Sequence, residues 1–412
     1  MEKGYALLGY LAGAGTARAG DEMSGPALLL AGFALTGSAV EASALLAGVT
    51  VSAAVGGPLL GAFLDRVPRP GRLLAVALGL YAAGLVAILV GLGRLPFAVT
   101  VVIAVFAGLL GPALSGGWTA QLPRVLPGDR LPRANALDAM TFDVAALAGP
   151  ALAGGVTEAL GAPAAVVVAA ALIALAAPAA WRLPARAGRP RAVRAVPAAC
   201  LVGEGSRIRA ASLVRDLAAG LRVVVGRPAL ARATLTSVVS CAAQGVVVAC
   251  VPLLGERVLG GAGRGALLLS CAAVSALAAN AVLARHPRAV APDTIVWASA
   301  CVQAASAAAA ALWAHPAALV LAMVLMGLGE GPQLTALFAV RHREAPENLR
   351  GQIFTTGASL KLTGFALGAA VAGPVASWSL RGALALAAGV AILAAAAFFA
   401  LPRRPPRGDD GR

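Results

Sequence analysis

The chain contains a series of apolar segments, each close to the length that crosses a lipid bilayer, which takes about 20 apolar residues as a helix. Polar backbone groups inside a bilayer must be satisfied within the segment itself, so these segments are expected to be α-helices. The sequence therefore predicts an all-α integral membrane protein with twelve transmembrane helices. The predicted spans are Ala6–Leu35, Ala42–Leu64, Leu73–Gly93, Pro96–Ala120, Arg133–Glu158, Ala162–Trp181, Ala229–Leu254, Ala262–Ala284, Thr294–Ala314, Pro316–Val340, Gly351–Trp378 and Leu380–Leu401.

Composition excludes a soluble domain. Of the 412 residues, 59% are hydrophobic and 12% are charged, whereas soluble domains are about 25% charged. The mean hydropathy is +0.85. The formal net charge of +15 raises the question of nucleic-acid binding, but the basic residues lie in loops between apolar segments and form no patch interleaved with aromatic residues. Lipid is therefore the expected partner, and nucleic acid is not.

Residue types that carry enzymatic or metal chemistry are scattered. The only two lysines are Lys3 and Lys361, and neither follows a glycine-rich phosphate loop. The three histidines, His286, His315 and His342, lack ligand spacing, and no cysteine pair has the CxxC spacing of a metal or redox site. The sequence predicts a protein that is not an enzyme and holds no cofactor or metal.

Basic residues in the loops predict the orientation in the membrane. One set of loops and both termini together carry 27 basic residues, and the opposite set carries 4. Both termini and the central polar segment are therefore expected in the cytoplasm. Heavy use of arginine, alanine and glycine suggests a GC-rich bacterial genome, which makes the bacterial cytoplasmic membrane the expected location.

A long polar break predicts the domain organisation. It divides an N-terminal bundle of six helices (1–181) from a C-terminal bundle of six (229–401), with a short cytoplasmic tail at 402–412. The basic linker, 182–228, is rich in proline and arginine in its first part and is expected to be poorly ordered there. Its second part, Leu213–Val224, has apolar residues at helical spacing, which predicts an amphipathic helix on the membrane surface.

The two halves carry a local repeat. Gly108–Pro112 in span four matches Gly327–Pro332 in span ten, with the prolines 220 residues apart. Pro127–Leu131, which follows span four, resembles Pro346–Leu349, which follows span ten. Two related bundles predict pseudo-symmetric packing with a binding site between the halves.

The connection between spans two and three carries a recognisable charge pattern. An acid is followed at once by arginines in a connection too short to be a domain, and its marked residues are Gly61, Asp65, Arg66, Arg69 and Arg72. This pattern resembles the loop between the second and third spans of major facilitator superfamily (MFS) transporters. The resemblance extends over nearly the whole chain and is nearest to the bacterial drug-export and macrolide-efflux-like branch.

The resemblance assigns this loop the role of a gate. Asp65 is expected at the positive N-terminal end of span eleven, near Gly351, where it would close the cytoplasmic side. Topology alone is the other interpretation. It accounts for the arginines but leaves Asp65 unexplained, because a single acid does nothing for orientation.

Ionisable residues inside the apolar spans are the main candidates for coupling, because burying them in hydrocarbon is costly. Arg18, Asp21 and Glu22 are spaced i, i+3 and i+4 in span one and so lie on one helix face. One arginine cannot neutralise two carboxylates, so one acid is expected to titrate as a proton carrier. The other interpretation is an ion-paired cluster that only locks span one against its neighbours.

Three further ionisable residues lie in spans five, ten and eleven. Asp143 and Lys361 are 218 residues apart, near the offset of the repeat, and could pair in one conformation and separate in another. Static pairing with local partners is the alternative. Glu330 lies two residues before Pro332, in what is expected to be an interrupted helix with backbone groups that face a cavity. The other interpretation is a residue packed near the cytoplasmic mouth.

Span five contains a run of small residues around a proline. Gly149, Pro150, Gly154 and Gly155 resemble the GPxxGG signature of MFS exporters, with one residue displaced. The resemblance implies a hinge typical of exporting antiporters. Ordinary close packing of helices through glycine is the other interpretation.

Taken with the resemblance, these features imply proton-coupled efflux of a small amphipathic molecule, such as a drug or specialised metabolite, by a monomer that alternates access. Protons, the small-molecule substrate and membrane lipid are the expected partners. Two alternatives remain open: a proton-coupled nutrient importer, and a membrane sensor or scaffold that no longer transports. The intramembrane charges count against a scaffold, because apolar residues in their place would be more stable.

Overall fold

A computed structural model describes residues 2–186, 215, 218–261, 264–313 and 315–400, with the side chains of 2–5 and 39 left undescribed. Within these ranges the chain forms helices and no strands. The long helices are α1 (Glu2–Thr36), α2 (Ala39–Arg66), α3 (Pro70–Gly91), α4 (Phe97–Gly108), α5 (Leu131–Leu160), α6 (Ala162–Trp181), α7 (Pro228–Leu259), α8 (Gly265–Arg285), α9 (Pro292–Leu312), α10 (Pro316–Glu344), α11 (Arg350–Trp378) and α12 (Leu380–Ala400).

Eleven candidate membrane spans occur in the described part of the chain, and together they contain α2 to α12. Each is long and apolar enough to cross a bilayer. The first helix is not among them, and its middle carries Arg18, Asp21 and Glu22. The all-helical membrane fold is confirmed, while the twelfth span stays a prediction.

Proline defines the start of several of these helices. Pro70, Pro228, Pro292 and Pro316 each occupy the first helical position of α3, α7, α9 and α10. At this position the N–H has no partner within the helix and the fixed φ already suits the helix. The loops between spans therefore end where the sequence places proline.

The fourth span is broken, in contrast to the continuous Pro96–Ala120 that the sequence predicts. Helix α4 ends at Gly108 and is followed by a 3-10 turn, Gly111–Ala113, and two one-turn helices, Gly116–Thr119 and Leu122–Val125. Proline in a helix removes one backbone hydrogen bond and clashes with the preceding turn. The proline here is Pro112, and several glycines lie on both sides of it, so the local helix propensity is too low for the helix to continue past it.

The central polar segment is described only in part. Residues 182–186 and 218–226 are described, the latter as helix, together with Arg215. The remainder of the predicted amphipathic helix Leu213–Val224, most of the linker 182–228 and the tail 402–412 lie outside the described residues. The predicted boundaries of the bundles and the linker stay predictions.

The chain divides into two compact units. Unit 1 comprises Met1–Ala219, Asn280–Pro287 and Pro346–Thr363, so it contains α1 to α6 together with the end of α8 and the first half of α11. Helix α1 packs against α5 and α6, and α3 packs against α6. Apolar side chains such as Leu78, Trp118 and Ile173 fill the core of this unit.

Unit 2 comprises Gly220–Ala279, Arg288–Ala345 and Gly364–Arg412. Helix α7 packs against α12, and α9 packs against both α10 and α12. Two of these pairings have counterparts in unit 1, where α1 and α3 both pack against α6 as α7 and α9 pack against α12. The shared part of the packing agrees with the sequence repeat.

The repeated glycines have the same role in each unit. A Cβ on Gly108 would overlap the carbonyl of Val49 and the hydroxyl of Ser52 on α2. A Cβ on Gly327 would likewise overlap the carbonyl of Ala272 and the hydroxyl of Ser275 on α8. Glycine allows two helix backbones to approach closely in a membrane, so this crossing requires glycine in both halves.

Candidate functional site

A buried ion pair joins α1 to α5 in unit 1. Nη1 of Arg18 lies 2.8 Å from Oδ1 of Asp138, and the side chains are 2% and 0% exposed. Nη2 of Arg18 donates to the Thr119 hydroxyl at 2.9 Å, and the guanidinium lies 3.6 Å from the centre of the Phe142 ring. Tyr10 and Thr119 both donate to the carboxylate, at 3.0 and 2.8 Å. Each charge therefore has several partners, which offsets part of the cost of burying it.

This ion pair corrects the expected competition of Asp21 and Glu22 for Arg18. Residues three and four positions apart on a helix differ in direction by roughly 40–60°, and the long Arg18 side chain turns towards Asp138 on α5. Asp21 is half-buried and accepts a hydrogen bond of 3.2 Å from the hydroxyl of Tyr81 on α3. Glu22 is exposed. The partner of Asp21 is thus a neutral phenol.

Sequence reasoning missed Asp138, Tyr10 and Tyr81. Asp138 lies five residues before Asp143 in the same span, so it carried the signal of an intramembrane acid. That signal was available, because Asp138 is well inside α5. The two tyrosines gave no sequence signal, since tyrosine occurs throughout apolar cores. Only the packing of α1 against its neighbours identifies them.

Asp143 lies further along α5 and is also buried. Its Oδ2 accepts a hydrogen bond of 2.7 Å from the side-chain amide of Asn280, at the end of α8 that belongs to unit 1. Lys361 is half-buried on α11. The pairing of Asp143 with Lys361 in one conformation and their separation in another stay a prediction.

Glu330 is not in an interrupted helix. Helix α10 is continuous from Pro316 to Glu344, with Pro332 inside it, and Glu330 is exposed. No glycine follows Pro332 for more than ten positions, whereas Gly116 and Gly117 soon follow Pro112 in the broken fourth span. The helix therefore continues past the proline, and the expected opening of its backbone is wrong.

The glycine-rich run of α5 has two kinds of environment. A Cβ on Gly149 would overlap Glu22 and the backbone of Met23 on α1, so this glycine sets how closely the two helices approach. A Cβ on Gly154 or Gly155 would meet no atom within 4 Å. Helix α5 also continues through Pro150. Close packing accounts for Gly149 alone, and the hinge stays a prediction.

Polar side chains inside unit 2 join helices to one another. Gln244 on α7 donates to Gln303 on α9 at 3.2 Å, and Gln333 on α10 donates to Ser240 on α7 at 3.1 Å. Hydrogen bonds between helices stabilise membrane bundles modestly. These amides therefore have a structural role in the described conformation.

The carboxylate of Asp65 lies at the N-terminal end of α11. Its two oxygens accept hydrogen bonds from the backbone N–H groups of Gly351 and Gln352, at 2.9 and 2.8 Å. The first N–H groups of a helix have no partner within the helix and carry partial positive charge, so a carboxylate there is doubly favourable. The position expected from the sequence is therefore the observed one. Its action as a gate stays a prediction.

The cation that reaches Asp65 is Arg186. Its Nη2 lies 3.1 Å from Oδ1 of Asp65, Nη1 donates to the Asp65 carbonyl, and Nη2 also donates to the carbonyl of Glu347 at 3.4 Å. Arg186 falls in the segment that the sequence predicts to be poorly ordered, and it was not a candidate. The proposed gate arginines are placed differently: Arg69 and Arg72 are exposed.

Close packing accompanies this polar contact. A Cβ on Gly61 would overlap Gln352 and Thr355 of α11, and a Cβ on Gly57 would overlap Thr355 and Ser359. One helical turn earlier on α2, the carbonyl of Ala53 accepts a hydrogen bond from Ser359. Helices α2 and α11 thus lie against each other over about three turns, with Asp65 at the end of the contact.

These features define a class of protein. Helices long enough to span a membrane form two units that share helix pairings, and ionisable side chains lie inside the first unit. This is the architecture of a secondary membrane transporter built from repeats. The sequence matches the family described as Major Facilitator Superfamily over residues 10–360, so the chain belongs to this family.

Individual relatives agree with the family. An uncharacterised MFS-type transporter of Sinorhizobium fredii (strain NBRC 101917 / NGR234) is 29% identical over 408 residues, which cover 96% of this chain and 95% of the relative. The fold is similar to that of a bacterial homologue of the iron transporter ferroportin in its outward-facing state, with a TM-score of 0.74, 15% identity and coverage of 96% and 98%. It is equally similar to the human organic anion transporter MFSD10 (TETRAN), with a TM-score of 0.74, 15% identity and coverage of 97% and 100%.

Proposed function

We propose that this MFS transporter exports a small amphipathic molecule and couples the export to inward proton movement. The observation that carries the proposal is the environment of Asp21. This acid lies half-buried in α1, its hydrogen bond comes from the neutral hydroxyl of Tyr81, and the arginine three residues earlier pairs with Asp138.

A carboxylate with a neutral partner suits proton coupling. When Asp21 takes up a proton, no buried cation loses its counter-ion. Losing a counter-ion would cost several kcal/mol, on the order of a broken buried pair. Asp138 is the opposite case, because protonating it would leave Arg18 unpaired. The two acids therefore have separate roles in the proposal: Asp21 carries the proton, and Asp138 holds α1 and α5 together.

The contact between α2 and α11 supports alternating access. Its polar part consists of hydrogen bonds to backbone N–H groups and one partly exposed arginine. Such a contact can separate and re-form without leaving a buried charge unpaired, since water can solvate its edge. We propose that it closes the cytoplasmic side in the described conformation and opens in the other one.

Efflux is favoured over import by the run around Gly149 and Pro150, which resembles the exporters' signature. The structural relatives do not indicate one substrate for this chain, because one is named for iron and the other for organic anions. The orientation with both termini in the cytoplasm is supported by the 27 basic residues on one side against 4 on the other.

Efflux can be tested in two steps. A strain that lacks the gene is compared with its parent for growth on a panel of amphipathic compounds, and the deletion strain is expected to be hypersensitive to at least one. The same compound is then offered to proteoliposomes with an imposed pH gradient. Uphill movement that needs the gradient supports the proposal, whereas lost uptake of a nutrient in the deletion strain favours the importer, and no movement of any tested compound favours the sensor.

The gate makes a separate prediction. In a cysteine-free background, Thr355→Cys introduces a thiol at a position that is 0% exposed on α11. Adding Asp65→Asn removes the negative charge between Arg186 and the helix end, and one charge-assisted hydrogen bond is worth about 1.5–3 kcal/mol. We expect labelling of this thiol by an impermeant reagent to accelerate about tenfold, and only in inside-out membrane vesicles.

Arg69→Gln is the matched control, because it removes an exposed charge from the same loop. Its labelling rate should equal that of the parent. Equal rates in the Asp65→Asn variant would leave the loop with a topological role alone, and labelling from the outside instead would reverse the proposed orientation.

A further inference from the structure

A second polar site lies within unit 2. It is a cavity of about 230 Å³ lined by Arg232, Asp293, Thr294, Trp297 and Phe398. These residues come from the second turn of α7, the first turns of α9 and the last turn of α12. All three helix ends belong to the side of the chain that the loop charges predict to be cytoplasmic.

Arg232 is the unusual member of this cavity. It is only 8% exposed, and neither Nε nor Nη1 donates a hydrogen bond to any residue in the described part of the chain. Its Nη2 lies 3.7 Å from Oδ1 of Asp293, which is too long for a hydrogen bond. The guanidinium lies 5.1 Å from the centre of the Phe398 ring. A buried arginine with two donors unused is costly unless an acceptor fills the site.

The nearby acid does not supply that acceptor. Oδ2 of Asp293 accepts a hydrogen bond of 2.9 Å from Arg343, which also pairs with Glu344 at 2.9 Å. A further guanidinium, that of Arg227, donates to the carbonyl of Glu344. Because this backbone carbonyl is neutral, it cancels no charge, and the three guanidiniums and the two carboxylates next to the cavity carry one formal net positive charge.

The cavity also borders a surface suited to lipid. Trp297 lies with its ring centre 5.8 Å from that of Phe399, which is 57% exposed next to the end of α12. Aromatic side chains at the ends of spans lie at the level of the lipid headgroups. A molecule in this cavity would therefore have its charged group beside Arg232 and its apolar part against these rings.

We propose that this cavity binds the phosphate of an anionic phospholipid headgroup, with the guanidinium of Arg232 as the principal donor. A guanidinium presents parallel N–H groups that match the oxygens of a phosphate. Basic pockets between helices on the cytoplasmic side suit anionic headgroups. A free phosphate ion offers the same oxygens but no acyl chains, so it would gain nothing from the aromatic surface.

The test uses the purified full-length chain in detergent. Native mass spectrometry measures the binding of phosphatidylglycerol, of phosphatidylcholine and of inorganic phosphate to the parent protein and to Arg232→Gln. We expect the parent to bind phosphatidylglycerol more tightly than the other two, and Arg232→Gln to bind it about tenfold more weakly, as expected for the loss of charge-assisted hydrogen bonds.

Arg257→Gln is the matched control, because it removes the same charge from the opposite end of α7 at an exposed position. It should bind phosphatidylglycerol like the parent. If Arg232→Gln does not fold, Arg232→Lys keeps the charge without the parallel donors and should bind with intermediate affinity. Unchanged phosphatidylglycerol binding in the Arg232 variant would overturn the site, and phosphate binding as tight as phosphatidylglycerol binding would overturn the lipid as its source.

Discussion

Replacing Asp21 with asparagine is expected to abolish uphill export while substrate exchange continues. Asparagine has nearly the same volume and can still accept the hydrogen bond from Tyr81, which measures 3.2 Å in the structure. It cannot bind and release a proton. Exchange of labelled for unlabelled substrate needs the conformational cycle but no net proton movement, so it should partly survive. Both quantities are measured in proteoliposomes with the compound to which the deletion strain is hypersensitive.

The control for this experiment is Glu158→Gln, which neutralises an exposed acid at the far end of α5. It should accumulate substrate like the parent. If Asp21→Asn still pumps against a gradient, Asp21 is not the proton carrier, and Glu22, Asp143 and Glu330 become the candidates. If Asp21→Asn loses exchange as well, the acid is needed for the cycle itself.

The second large effect concerns stability. Replacing Arg18 with glutamine leaves the carboxylate of Asp138 buried at 0% exposure without its cation. Removing one partner of a buried pair costs about 3–5 kcal/mol. We expect the thermal unfolding midpoint of the protein in detergent to fall markedly, as measured by loss of the monodisperse peak in size-exclusion chromatography after heating.

A double variant separates the charge from the packing. Arg18→Met with Asp138→Leu removes both charges, and replacing a buried pair by apolar residues is often neutral or stabilising. The double variant should therefore recover most of the lost stability. A single Arg18→Gln variant as stable as the parent would show that the pair does not hold α1 to α5.

Much of the fold could be predicted from the sequence. The apolar segments are long enough to span a bilayer, and hydrocarbon leaves a helix as the form that satisfies the backbone. Prolines such as Pro70 and Pro228 mark where helices begin. The repeat of Gly108 and Gly327 predicted two related units, since a close crossing of two helices has the same steric requirement in each half.

The position of Asp65 is an intermediate case. A single acid in a basic loop does not help to orient the protein in the membrane, so the sequence indicated a specific partner for Asp65. That partner is the N-terminal end of α11. Its cation could not be predicted. Arg186 lies 121 positions further along the chain, in a segment whose composition indicates poor order.

The acids of α1 and α5 show what only the tertiary structure decided. Spacing along one helix groups Arg18, Asp21 and Glu22, because local geometry depends on neighbours three and four positions away. It carries no information about which residue of another helix faces each side chain. Arg18 is paired with Asp138 through the packing of α1 on α5, and Asp21 with Tyr81 through α3. The sequence by itself determined which segments are apolar enough to span a membrane, and the packing of the helices determined which of their polar side chains pair.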